Sequence, residues 1–216
     1  MKIYVVGTEN RIEELKLKLA SVDISKITAG PAYGASSEYD LIIDLNFDDA
    51  PGNIEYYSEL EDCIVIVSAV KQQIRQTIAV SPKKVKCKIA GLNALPTFIN
   101  RALWEMSFLN DDDAEFILGK LESANLQAKK VNDRVGMVTP RIILMIINEA
   151  FYTVQEGTAD KANIDSAMKL GTNYPFGPFE WAEKIGIKSV YECLKALADD
   201  TGDERYKICP LLKSRL

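Results

Sequence analysis

The sequence predicts an α/β fold, a mostly parallel and reduced doubly wound sheet with helices on its faces, followed by an all-α segment. Two observations predict it. Short apolar runs alternate with helical patterns through residues 1–132, and from Asp133 onward the strand signals stop and helix punctuation takes over. Residues 1–132 and 133–216 are therefore read as two domains.

Ile3-Tyr4-Val5-Val6 reads as a strand, Glu9 to Leu19 as an amphipathic helix with Ile12, Leu15 and Leu19 on one face, and Asp23 to Thr28 as the next strand. The link from Ala29 to Glu38 has ten residues, fewer than the dozen or so that a crossover helix needs. It can cross one strand without a helix, so the sheet is trimmed on that side. Tyr39 to Asp44 and Asp62 to Ser68 read as buried strands, Lys71 to Ala79 as a helix, Lys84 to Ala90 as a further strand. Asp111-Asp112-Asp113 places carboxylates at the positive end of a helix running to Leu126, which favours a helix start over a metal site. Ala128 to Val131 closes the strand series.

The second half is punctuated as helices. Thr139-Pro140 opens one that stops at Gly157, Asp160 opens one that stops at Gly171, and Pro178 opens one that stops at Gly186. Ser189-Val190-Tyr191-Glu192 matches a capping box and is read as opening a helix to about Asp199. So many apolar helix faces in so short a segment imply packing against a second copy or the first domain.

Composition bounds the partners. Apolar residues make up 47% and charged residues 26%, the balance of a folded globular chain. A net charge of -5 argues against nucleic acid or an anionic membrane as the main partner, since both need a cationic face. The basic run Pro82 to Lys88 is read as a solvated strand edge. No apolar run approaches the ~18–20 residues that span a bilayer, and the start shows no basic, apolar and cleavage regions in order. The expectation is a cytoplasmic protein whose Cys63, Cys87, Cys193 and Cys209 are reduced and mostly structural. The chain contains no histidine.

The run Asn163-Ile164-Asp165-Ser166-Ala167-Met168-Lys169-Leu170-Gly171-Thr172-Asn173-Tyr174-Pro175-Phe176-Gly177-Pro178-Phe179-Glu180 closely resembles the C-terminal signature of the 3-hydroxyacyl-CoA dehydrogenases, including the 3-hydroxybutyryl-CoA dehydrogenases. The likeness continues through Asp133 to Val138, Asn148-Glu149-Ala150, Thr201-Gly202-Asp203 and Pro210-Leu211-Leu212. The chain ends at Leu216, short of the glycine- and lysine-rich tail usual in that family. The resemblance implies a Rossmann-like NAD-binding-type domain followed by a helical dimerisation domain of the 6-phosphogluconate dehydrogenase C-terminal-like type. It also implies NAD-dependent oxidation of 3-hydroxyacyl-CoA in fatty acid metabolism, with NAD as cofactor, an acyl-CoA ligand and a homodimer.

The first half departs from that layout at each functional point. The family's glycine-rich turn falls on Gly7-Thr8-Glu9-Asn10-Arg11-Ile12, where only the first glycine remains. Gly7, Asn10 and Arg11 are the candidate cofactor contacts, and Glu9 sets a like charge beside a phosphate. Thr28-Ala29-Gly30 lacks the carboxylate that would hold a ribose. The family's serine-bearing stretch falls on Ala69 to Gln72, with Ser68 as the nearest hydroxyl. The catalytic histidine's place falls at or near Asn93, its glutamate partner on Glu105, and a substrate-positioning asparagine on Pro140. Asn93, Glu105 and Ser68 are thus the candidate catalytic positions, and no metal ligands are assigned. Asparagine cannot relay a proton as imidazole does. Three readings follow: a degenerate, dimeric pseudoenzyme that binds a ligand or partner, an oxidoreductase using Glu105 or Lys71 as base, and a structural dimer. Each candidate also has a plain structural role, Asn93 as a turn residue, Glu105 as the polar side of a strand and Ser68 as a backbone partner.

Overall fold

The computed structural model describes residues 1–216 and divides into two compact units, Met1–Met137 and Val138–Leu216. The strands of the first unit are β1 (Lys2–Val6), β2 (Lys26–Ala29), β3 (Leu41–Asp44), β4 (Ile64–Ser68), β5 (Lys88–Leu92), β6 (Leu103–Phe108) and β7 (Gln127–Val131). They form one sheet in the order β2-β1-β3-β4-β5-β6-β7, parallel except where β6 runs antiparallel to β5. Its helices are α1 (Glu9–Lys18), α2 (Ile54–Tyr57), α3 (Ile74–Ala79) and α4 (Asp111–Ser123). The fold is the Rossmann-like, doubly wound α/β arrangement expected.

Strand alternation builds two cores. Ile3, Val5, Leu41, Ile43 and Ile66 point to one face, where Leu15 of α1 and Ile117 and Leu121 of α4 cover them. Tyr4, Val6, Ile42, Val65 and Val67 point to the other, beneath Tyr57, Ile74 and Met137. The sheet ends at β2, and the return to β3 passes over β1 with only a single 3-10 turn at Ala32–Gly34. Tyr4 fixes this short crossing: its hydroxyl donates to the Pro31 carbonyl at 2.9 Å and lies against Gly30 and Gly34, where no Cβ would fit.

Several boundaries differ from the sequence reading, each for a physical reason. The second strand spans Lys26–Ala29 instead of starting at Asp23. α3 begins at Ile74 and not Lys71, because the amides of Val70 and Lys71 go to Asp48, while Asp133 takes those of Ile74 and Arg75 at 3.0 and 2.9 Å. Asp133 to Met137 stay with the first unit, where Gly136 also donates to the Val70 carbonyl at 2.7 Å. The basic run is not a sheet edge, since β5 is interior. Lys83 and Lys86 instead pair with Glu59 and Glu61, and Lys88 reaches Asp113 at 2.5 Å.

The second unit holds α5 (Thr139–Gln155), α6 (Lys161–Thr172), α7 (Pro178–Ile185), α8 (Ile187–Thr201) and α9 (Pro210–Lys213). Asp160 caps α6 by accepting the Asn163 amide at 2.8 Å. The helix runs past Gly171 and stops at Asn173, which takes the left-handed conformation (φ 56°) that asparagine tolerates. The Ser189 capping box does not open α8. Gly186, at φ 91°, turns α7 directly into α8, which leaves Ser189 inside the helix. Asn148 of α5 secures the C-terminal stretch, donating to the Lys207 carbonyl and accepting from the Cys209 amide, both at 2.9 Å.

The signature run has a structural cause. The Asp165 carboxylate reaches from α6 to the first turn of α7, accepting the amides of Phe179 at 2.8 Å and Glu180 at 3.2 Å. Residue 177 must be glycine because a Cβ there would collide with that carboxylate. Glu180 completes the junction by accepting the Gly177 amide at 3.0 Å and the Lys169 ammonium at 2.5 Å.

Candidate functional site

In an open α/β sheet the ligand crevice lies outside the carboxyl ends of the strands, where the strand order reverses. Here β1 leads outward to β2 while β3 leads to β4 and β5, so the reversal falls between β1 and β3. Gly7 follows one strand and Leu45 the other. A Cβ on Gly7 would lie 3.2 Å from Ile12 Cγ1 and 3.2 Å from Leu45 Cδ1, so the close turn leaves little room for a side chain at this position. Asn10 and Glu9 are exposed, but Arg11 folds inward and is only 9% exposed. Its guanidinium donates to the Leu45 carbonyl and to Asn46 Oδ1 at 3.4 Å, with Asp49 at 3.6 Å.

Two carboxylates organise the loops beside this crevice. Asp44 ends β3 fully buried, accepting the Tyr57 hydroxyl at 2.6 Å, the Asn53 side-chain amide at 2.8 Å and the Asn46 backbone amide at 2.8 Å. Asp48 accepts the Ser68 hydroxyl at 2.5 Å and the amides of Val70 and Lys71 at 2.9 and 2.8 Å. Burial pushes both carboxyls above the ordinary carboxylate range, although their hydrogen bonds pull the other way. Lys71 pairs with Asp49 at 2.5 Å.

Farther along the same edge, Ser68 at the end of β4 is in register with Leu92 at the end of β5. Asn93 comes next, buried, with its amide donating to the Glu105 carbonyl at 3.1 Å and its side-chain oxygen without a partner. β5 can pass this point because residue 91 is glycine: a Cβ there would lie 2.5 Å from Ser107 Oγ and 2.8 Å from Ile74. The loop after Asn93 is held by Glu14 of α1, which accepts the amides of Thr97 and Asn100, both at 3.1 Å. Trp104 anchors β6 beneath it through a 2.7 Å bond to the Ile99 carbonyl.

Thus Gly7, Asn10, Arg11, Ser68, Asn93 and Glu105 all lie along the carboxyl edge of the parallel strands, or beside it on the antiparallel neighbour. Pro140 belongs to the second unit, buried in the first turn of α5. Sequence reasoning missed Asp44 and Asp48, which hold this edge together. Their signal was a carboxylate ending an apolar strand and another four residues later, a pattern that reads as turn chemistry alone.

A family model described as the 3-hydroxyacyl-CoA dehydrogenase C-terminal domain matches residues 136–216. A 3-hydroxybutyryl-CoA dehydrogenase of Clostridioides difficile is 30% identical over 199 residues, covering 88% of this chain and 69% of the relative. The chain belongs to the 3-hydroxyacyl-CoA dehydrogenase family. A probable 3-hydroxybutyryl-CoA dehydrogenase of Bacillus subtilis is 38% identical over 104 residues, a match spanning 48% of this chain and only 36% of that family member. The crystal structure of (S)-3-hydroxybutyryl-CoA dehydrogenase from Ralstonia eutropha shares the family fold, with a TM-score of 0.73 over 99% of this chain and 92% of that one at 20% identity. No helix of this family member is long and apolar enough to cross a membrane.

Proposed function

We propose that this chain is a 3-hydroxyacyl-CoA dehydrogenase family protein that does not carry out the family's NAD-dependent hydride transfer and works as a dimeric ligand- or partner-binding module. One observation carries the reading: the crevice where the strand order reverses is occupied by the Arg11 guanidinium, whose hydrogen bonds to Leu45 and Asn46 and charge on Asp49 are already matched. A dinucleotide needs a glycine-lined turn for its pyrophosphate and a carboxylate for its ribose. Only the first glycine of such a turn, Gly7, is present, and Gly30, packed against Tyr4, stands in place of the carboxylate. These residues do not fit NAD in the family pose. Asn93 adds no proton relay, and the Ser68 hydroxyl is committed to Asp48.

The second unit supports the binding half of the reading. α6 buries none of its residues within the chain and leaves Leu170 89% exposed, as a helix awaiting a second copy would. An acyl-CoA ester is the ligand class the family suggests.

A fluorescence titration of the purified chain with NADH tests the proposal. No saturable change up to millimolar cofactor is expected, and saturation in the micromolar range would overturn it. Thermal shifts with CoA esters then separate a ligand binder from a purely structural dimer, and light scattering reads the dimer itself. A second reading, an oxidoreductase with Glu105 or Lys71 as base, is favoured by the meeting of Ser68, Asn93 and Glu105 at one end of the sheet. Turnover of acetoacetyl-CoA with NADH or NADPH would establish it.

A further inference from the structure

The amino edge of the same sheet, opposite the crevice, holds a cavity of about 670 Å³, within the ~300–1,000 Å³ of pockets that enclose small molecules. Its floor is apolar. Leu41 and Ile64 are the first residues of β3 and β4, and Phe116 and Leu121 reach the cavity from α4. Phe116 stays 45% exposed, so a ligand that covered its ring would be stabilised by the apolar area removed from water. Five charged residues also line the cavity: Lys86, Lys88, Lys120, Asp40 and Asp62. Three of them are engaged within the chain. Lys86 pairs with Glu61, Lys88 pairs with Asp113 at 2.5 Å, and the Asp40 carboxylate accepts the Lys2 amide at 2.7 Å. Lys120 and Asp62 form no ion pair, and the Lys120 ammonium lies only against the Phe116 ring, 5.8 Å from its centroid. Asp62 sits at φ 57° in the turn leading to β4, a left-handed conformation that aspartate tolerates. The cavity thus combines an apolar floor with one spare ammonium and one spare carboxylate, and neither charge takes part in the chemistry of the crevice.

We propose that this cavity binds a free α-amino acid with a large apolar side chain. The ligand carboxylate meets Lys120, its ammonium meets Asp62, and its side chain covers Leu41, Ile64, Leu121 and the Phe116 ring. Opposite charges on one small molecule are what select it. An apolar carboxylate without an ammonium would set its charge beside Asp62 with nothing to offset it, and an apolar amine would do the same beside Lys120. The flexible four-carbon stem of Lys120 lets its ammonium follow the ligand carboxylate. Both charged residues are exposed, so each adds modestly and the apolar contact supplies most of the affinity.

Isothermal titration of the full chain with L-leucine and L-phenylalanine tests this. Saturable binding is expected below about 10 mM. Glycine should bind at least about ten-fold more weakly for want of apolar contact. The analogues 4-methylpentanoate and 3-methylbutylamine, which are leucine without its ammonium and without its carboxylate, should bind about three-fold or more weakly. Lys120→Met should narrow the gap between leucine and 3-methylbutylamine, and Asp62→Asn the gap between leucine and 4-methylpentanoate, shifts that a purely structural role would not produce. Both substitutions fall on exposed side chains, and asparagine keeps the left-handed turn, so the fold is retained. No saturation by either amino acid, a single-charge analogue binding as tightly as leucine, or an unchanged gap in either variant would overturn the proposal.

Discussion

The backbone amide of Asn93 donates to the carbonyl of Glu105 at 3.1 Å, joining the end of β5 to the antiparallel strand that carries the acid. The frame for a paired acid and base is therefore kept, although the residue at one end cannot relay a proton. Asn93→Histidine is expected to restore no turnover of acetoacetyl-CoA with NADH. The crevice is still filled by Arg11, and Ser68 still bonds Asp48. Steady-state turnover in this variant would show that the one side chain was the whole difference.

Arg11→Met keeps the length of the buried side chain but removes its charge-assisted bond to the Leu45 carbonyl. A loss of about 2 kcal/mol is expected, the usual cost of deleting a buried hydrogen bond to a charged group. Urea unfolding measures it, and an unchanged midpoint would show that Arg11 contributes nothing to closing the crevice.

Asp44 gives the first unit a pH dependence of definite sign. Burial raises its carboxyl against the bonds from Tyr57, Asn53 and Asn46, so the folded chain keeps a proton that the unfolded chain has already shed. Its contribution is complete below the ordinary carboxylate range and is lost as pH rises through the raised folded value. The stability advantage of wild type over Asp44→Asn should therefore shrink as pH rises from the ordinary carboxylate range, about pH 4, through the raised folded value. A growing gap would mean that the hydrogen bonds, and not burial, dominate this carboxyl.

In the second unit, Asp165→Ala removes the acceptor for the Phe179 and Glu180 amides. A cost of about 1–2 kcal/mol is expected, as for other lost helix caps. Gly177→Ala should be at least as harmful because its new Cβ meets Asp165. Thermal unfolding of the two variants checks the pair, and a silent Gly177→Ala would show that the junction relaxes freely.

Strands and helices were legible wherever apolar periodicity ran unbroken, as in Ile64 to Ser68 and Thr139 to Gln155. The ten-residue link showed from length alone that one side of the sheet is reduced. Helix starts were less legible where the capping group comes from elsewhere in the chain. Asp133 reaches amides 59 and 58 residues away, and Asp48 reaches across 23 to Lys71. No local window contains both partners. The same limit hid the inward turn of Arg11, since exposure at the start of a helix depends on the strand it meets, here β3. Gly171 misled because glycine can remain helical while Asn173 takes the left-handed turn.

β2 is the outermost strand on its side, paired only with β1. Its free backbone edge is the kind of surface on which chains stack and precipitate. Two properties disarm it: the strand is only four residues long, and it begins with an exposed lysine, Lys26. At ~3.3 Å per residue it offers about 13 Å of seam, too little and too charged to template a growing fibril. A sheet shortened on this side thereby stays safe from self-templated aggregation without a covering strand.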